Sequence, residues 1–194
     1  MGGRKAMNRT AEVIRKTAET EIHIALTIEG KGTANVKTGV GFLDHMLSTL
    51  AKHGAFDMTV EAKGDIHIDE HHTVEDAGLT LGEAFKKALG EKKGIWRFGW
   101  AICPMDEALA RVVIDLSGRP HFECHVGEFK SDPYLEFFRG FVSAYKCTLH
   151  IDLLRGQNRH HAIEAIFKAF ALALSQAVAV RAGINQIPST KGTL

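Results

Sequence analysis

The run Glu21-Ile22-His23-Ile24-Ala25-Leu26-Thr27-Ile28 alternates apolar and polar residues in twos, as a strand with one buried face must. The strand-like stretch begins near Ala11 and is closed by Glu29-Gly30-Lys31-Gly32, a turn signal. After another short extended run the period changes: Leu43, Met46, Leu47 and Leu50 share one side of a helix predicted from Phe42 to His53, and Gly54 ends it. Phe56 to Ala62 alternates again as a strand, and a longer helix runs from about Glu70 to Leu89, where Gly90 stops it. The second half repeats this order more loosely. Ala108 to Leu116 and His121 to Phe129 are expected to be paired strands separated by Ser117-Gly118-Arg119-Pro120. Pro133 to Tyr145 then reads as a helix, Cys147 to Leu154 as a strand, and a second long helix follows Gly156 to about Val180.

The pattern therefore predicts an α+β fold made by tandem duplication of a strand-strand-helix-strand-helix half-unit, with sheets covered by helices on one face. The units are an N-terminal extension over residues 1–10, a first half-repeat over 11–95 and a second over 96–194. Composition changes little in this picture: 45% hydrophobic and 24% charged residues are ordinary for a globular chain. A formal net charge of +1 with interspersed signs gives no basic field for nucleic acid. Cys103, Cys124 and Cys147 lie in apolar or strand-like runs and are expected to be small core residues. Neither a signal peptide nor a bilayer-length apolar run stands out, so a reducing, cytoplasmic location is expected and no membrane partner.

Candidate chemistry enters at the two long helices. His71-His72-Thr73-Val74-Glu75 opens the first and His160-His161-Ala162-Ile163-Glu164 the second, an offset of 160 − 71 = 89 residues. On a helix, the first His and the Glu of each motif lie one turn apart and can share one ion, whereas the second His points about 100° away. Two ions are implied. Reciprocal sharing is expected, with His71, Glu75 and His161 on one ion and His160, Glu164 and His72 on the other. The apolar stripes Val74, Ala77, Leu81, Phe85, Ala88 and Ile163, Ile166, Phe170, Leu174, Ala177 are centred roughly 280° round from each first His. The ligands thus turn away from the buried face, towards a cleft or a partner. His45 and His150, one upstream of each motif, could add a further imidazole to each ion. Asp44, Asp65, Asp69 and Asp76 are natural carboxylates to orient the rings. Imidazole and carboxylate without thiolate suit manganese, iron or zinc. A dinuclear metallohydrolase or a metal-assembled scaffold would use the same donors.

Several further motifs narrow the choice. Phe42-Leu43-Asp44-His45-Met46, Gly64-Asp65, His71-His72-Thr73-Val74-Glu75-Asp76, Pro104-Met105-Asp106-Glu107-Ala108-Leu109 and Ser117-Gly118-Arg119-Pro120 are five parts of one set. Gly156-x-Asn158-x-His160-His161-x-x-Glu164 and Pro188-Ser189-Thr190-Lys191-Gly192 complete it. Together they resemble the imidazoleglycerol-phosphate dehydratases of histidine biosynthesis, over essentially everything from Ala11 onward.

That resemblance implies a hydro-lyase converting imidazole glycerol phosphate to imidazole acetol phosphate, with two Mn²⁺ per active site. It also implies a hollow homo-oligomer of twenty-four subunits with active sites between them. On the matching positions, Arg97, Arg119, Ser189 and Lys191 would hold the phosphate, Met46 and His53 would line the substrate, and Glu19 would be the acid/base. Asp106 is a second candidate for proton transfer. The metals would stabilise an imidazolate, whose electron-rich ring expels the hydroxyl and makes the neighbouring proton acidic.

Overall fold

The computed structural model describes residues 9–194, so most of the N-terminal extension lies outside the described residues. The first half contains β1 (Thr10–Lys16), β2 (Thr20–Thr27), β3 (Ala34–Lys37), α1 (Gly41–Gly54), β4 (Asp57–Gly64) and α2 (His71–Leu89). The second contains β5 (Phe98–Met105), β6 (Ala108–Asp115), β7 (His121–His125), α3 (Tyr134–Tyr145), β8 (Thr148–Arg155) and α4 (Arg159–Val178). Both four-stranded sheets share one topology, β1-β2-β4-β3 and β5-β6-β8-β7, with the last pair parallel in each. A parallel pair needs a crossover, and α1 and α3 supply it.

The duplicated α+β unit is thus present, with one strand more per half than the sequence pattern predicts. In the first half the long alternating run is broken at Thr17–Glu19, where Thr17 N–H donates to the Thr20 carbonyl and the chain reverses into β2. In the second half β5 escapes the pattern because its polarity is inverted. Phe98, Trp100 and Ile102 point outward while Gly99 and Cys103 face the helices. An added Cβ at Gly99 would lie 1.8 Å from the Ala173 carbonyl oxygen, so only glycine lets α4 lie this close. The expected pairing of the strands on either side of Ser117–Pro120 is not made. β8 lies between β6 and β7, and β7 pairs only with β8.

The four helices form a middle layer. α1 and α2 cover sheet one, α3 and α4 cover sheet two, and α2 crosses α3 while α1 crosses α4, which locks the halves together. Both predicted stripes are buried, from Val74 to Ala88 on α2 and from Ile163 to Ala177 on α4. By length and composition α4 could cross a membrane, but 72% of its apolar window is buried inside this fold, as expected of a core helix. Cys103 and Cys147 are buried and Cys124 is half-buried, all unpaired. Burial pushes the Cys124 thiol up to about 11 and the Cys147 thiol up to about 12, which leaves both unreactive.

Candidate active site

In both motif helices a side chain two residues before the first His accepts that residue's amide, although only in α4 is it the N-cap residue. The Asp69 carboxylate accepts the His71 backbone N–H at 2.9 Å, and the Asn158 side chain accepts those of His160 and His161 at 2.9 and 3.4 Å. Each of these acceptors satisfies otherwise orphaned donors and fixes the first turn, so the imidazoles leave the helix in set directions.

At the second motif, His45 from α1 joins His160 and Glu164. The two Nε2 atoms lie 3.1 and 3.2 Å from the same Glu164 oxygen. One donor atom from each residue falls within 4.8 Å of the others, the separation at which a single cation can replace the shared hydrogen bonds. Lys168, one turn further along α4, holds the other Glu164 oxygen at 2.7 Å. Burial works against a charged Glu164, yet the bonds from Lys168 and His45 outweigh it and keep its pKa at about 2. At the first motif His71 and Glu75 are 3.7 Å apart, and no imidazole from another element joins them among the described residues.

The second His of each motif has a different environment, repeated in both halves. His72 Nδ1 bonds Asp65 at 3.0 Å while its Nε2 lies 3.9 Å from Glu19. His161 Nδ1 bonds Glu107 at 2.7 Å while its Nε2 lies 3.7 Å from Asp106. Glu19 and the Asp106–Glu107 pair sit in equivalent places, the β1–β2 and β5–β6 turns. These hydrogen bonds hold both imidazoles above their usual pKa, and the bond from His161 leads in keeping Glu107 down at about 2.

Three sequence expectations are not realised within the single chain. The reciprocal ion sharing is not made within one chain, because His72 and His161 each face the acids of their own half. A relay of contacts separates the motifs: Glu70 to the Tyr134 hydroxyl at 3.3 Å, then Tyr134 to Phe42 and Phe42 to His160 at ring distances of 4.9 and 5.0 Å. His150 does not join either motif. It lies on the outer face of sheet two, with its ring 5.9 Å from that of His121. Met46, expected to line the substrate, is fully buried in the core beneath α1. His53 lies on the last turn of α1 with its ring only partly screened from solvent, and that partial desolvation and then the charge of Lys168 lower its pKa.

A protein-family model described as imidazoleglycerol-phosphate dehydratase matches residues 38–174, which include both motifs and His45. The chain belongs to the imidazoleglycerol-phosphate dehydratase family. Curated imidazoleglycerol-phosphate dehydratases from Thiobacillus denitrificans and Paraburkholderia xenovorans are 58% and 55% identical, covering 96% of this chain and 100% of each relative. Among solved structures, the enzyme from Pyrococcus furiosus in complex with (S)-C348 has a TM-score of 0.80 at 37% identity, covering 94% of this chain and all of that one. The Staphylococcus aureus enzyme has a TM-score of 0.77 at 39% identity, with 88% and 99% covered. As an imidazoleglycerol-phosphate dehydratase the chain is a hydro-lyase of histidine biosynthesis acting on a small-molecule substrate. Glu19, Ser189 and Lys191 lie outside the matched segment.

The remaining dehydratase candidates gather at another corner. Arg97 makes a forked pair with Asp115, 2.7 and 3.1 Å, and donates through a third N–H to the Pro188 carbonyl at 2.8 Å. Among the described residues, two of its five N–H groups make no side-chain or carbonyl bond. Pro188 leads directly into Ser189 and Lys191, and the terminal Leu194 packs so closely on Gly118, φ +77°, that a Cβ there would meet its backbone at 2.7 Å. The tail therefore returns to the Ser117–Pro120 loop beside Arg119. The sequence assigned no role to Lys168, and it placed Glu107 in a motif without one. Lys168 was findable as the i+4 partner of Glu164, whereas Glu107 is 54 residues from His161 and only the fold brings it there.

Proposed function

We propose that the dehydration of imidazole glycerol phosphate by this chain depends on two divalent cations per active site, manganese in the first instance, and that the site is completed between subunits. The observation that carries the metal reading is the convergence of His45, His160 and Glu164 donor atoms within 4.8 Å, an imidazole and carboxylate set with no thiolate. His71 and Glu75 offer a second pair, to which His72, His161 and His150 can add when another copy approaches. Bound there, the cations would supply Lewis acidity that favours loss of the substrate's ring proton.

This chain's residues do the rest. Glu19, half exposed at the β1–β2 turn near His72, takes the proton from the carbon next to the departing hydroxyl, with Asp106 in the equivalent place opposite His161. The free N–H groups of Arg97, with Arg119, Ser189 and Lys191, hold the phosphate. Arg97 N–H bonds the Ala177 carbonyl, which puts this corner at the far end of α4 from His160. Over the intervening 177 − 160 = 17 residues the helix advances about 25 Å. A substrate of one imidazole, three carbons and a phosphate is far too short for that span. On this reading the metal donors of one copy meet the phosphate corner of another, in line with the assembly of twenty-four that the family resemblance implies. The three unpaired thiols fit a reducing, cytoplasmic setting.

The test is chelation. Metal-free protein should form no ketone from imidazole glycerol phosphate and should scatter light as smaller particles, and Mn²⁺ should restore both, with no phosphate released. Full turnover with no metal bound would refute the metal reading. An unchanged particle mass without metal would refute metal-dependent assembly alone.

A further inference from the structure

The two halves hold their second motif histidine in matching ways. In each, Nδ1 is bonded to a carboxylate and Nε2 points towards an acid at a hairpin turn: Asp65 and Glu19 for His72, Glu107 and Asp106 for His161. An ionised carboxylate only accepts, so a neutral imidazole bonded to it through Nδ1 carries its proton there and keeps the lone pair on Nε2. We propose that Glu107 is a positioning residue that fixes the His161 ring with Nε2 presented to a cation, the role Asp65 has for His72. The proposal rests on the metal reading above.

The geometry around Glu107 is built for that role. One of its oxygens takes His161 Nδ1 at 2.7 Å. The other accepts the backbone N–H groups of Gln157 and Asn158 at 3.4 and 3.0 Å, so the carboxylate is gripped by the loop that leads into α4. Asn158 in turn caps the helix and holds the His160 and His161 amides. The β5–β6 turn, the start of α4 and the His161 ring thus form one hydrogen-bonded unit. The turn carries a cost as well: Asp106 has φ +48°, a left-handed conformation that residues other than glycine adopt reluctantly. Asp tolerates it better than most, and here it places Asp106 in front of Nε2 with Glu107 behind Nδ1. Ligand-orienting partners of this kind typically change metal affinity by about 10- to 100-fold when removed.

The experiment measures Mn²⁺ binding to chelated full-length protein by the loss of the free Mn²⁺ electron-paramagnetic signal, with thermal unfolding of the metal-free protein alongside. In Glu107→Ala one of the two classes of ion should bind about 10- to 100-fold more weakly while the other keeps its affinity. Glu107→Gln, which keeps shape and an acceptor but not the charge, should lose about tenfold at the same class. Wild-type affinity for both ions in Glu107→Ala, or in Glu107→Gln should the alanine variant not fold, overturns the proposal. So does a variant that melts earlier yet binds both ions normally, since Glu107 would then be only a clamp between turn and helix. Wild-type protein that binds no Mn²⁺ would instead overturn the metal reading itself.

Discussion

Replacing Gly78 by Ala tests how the motif helices are held. A glycine-to-alanine change inside an exposed helix ordinarily stabilises by about 1 kcal/mol, because the backbone loses less freedom. At Gly78 the sign should reverse. The added Cβ would sit 2.0 Å from the Phe137 carbonyl oxygen and 2.8 Å from its carbon, both backbone atoms of α3 that cannot rotate aside. Carbon and carbonyl oxygen tolerate about 3.3 Å, so α2 and α3 must part by more than about 1 Å. Gly82 and Gly140 make the same close approach, at 2.6 Å each to opposing carbonyl oxygens, so the whole crossing loosens. Overpacking of this kind costs about 1–3 kcal/mol; the clash with fixed backbone puts Gly78 at the upper end, so with the propensity gain subtracted a net loss of about 2 kcal/mol is expected. For a chain of this length that lowers Tm by about 4–8 °C. Calorimetry should use metal-free protein at fixed concentration, since ions and assembly add their own stabilisation. Gly41→Ala, at the start of α1 with nothing within 4 Å, is the control and should cost nothing. Glu75 is one turn from Gly78, so the variant should also bind Mn²⁺ more weakly. A Gly78→Ala protein that melts at or above the wild-type temperature would refute the close-packing argument.

Glu19→Gln should keep metal content and particle size while kcat falls on the order of a hundredfold or more, as for a lost general base; unchanged turnover removes Glu19 from the chemistry. Lys191→Ala should mainly raise KM, because the phosphate contact is shared by ground and transition states. A fall in kcat at constant KM would mean that the tail acts on the reacting carbons instead.

Much of this protein was legible in the residues alone. Period-two and helical stripes marked most of the elements, and the stripes of α2 and α4 are buried as read, because local periodicity and core burial are the same physical demand. The spacing of His71 and Glu75, and of His160 and Glu164, directly encodes neighbours one helical turn apart, and both pairs are found close together. Other features were beyond any local pattern. β5 turns its large residues outward, so its polarity argues against the burial it has on the other face. β8 inserts between β6 and β7, pairing parallel with β7 through the crossover helix α3, a choice made by sheet topology. His45 joins the motif of the other half, 119 residues away, and Glu107 reaches His161 across a hairpin. His150, of the same residue type and equally promising in one dimension, points out of sheet two instead. Helical spacing is fixed by covalent geometry and hydrogen bonding within a few residues, so the sequence by itself determined the paired His and Glu side chains and the duplicated order of elements. Which distant side chain completes each pair depends on how α1 crosses α4 and on where the hairpin tips fall, and those are settled only when the two sheets close over the helices between them.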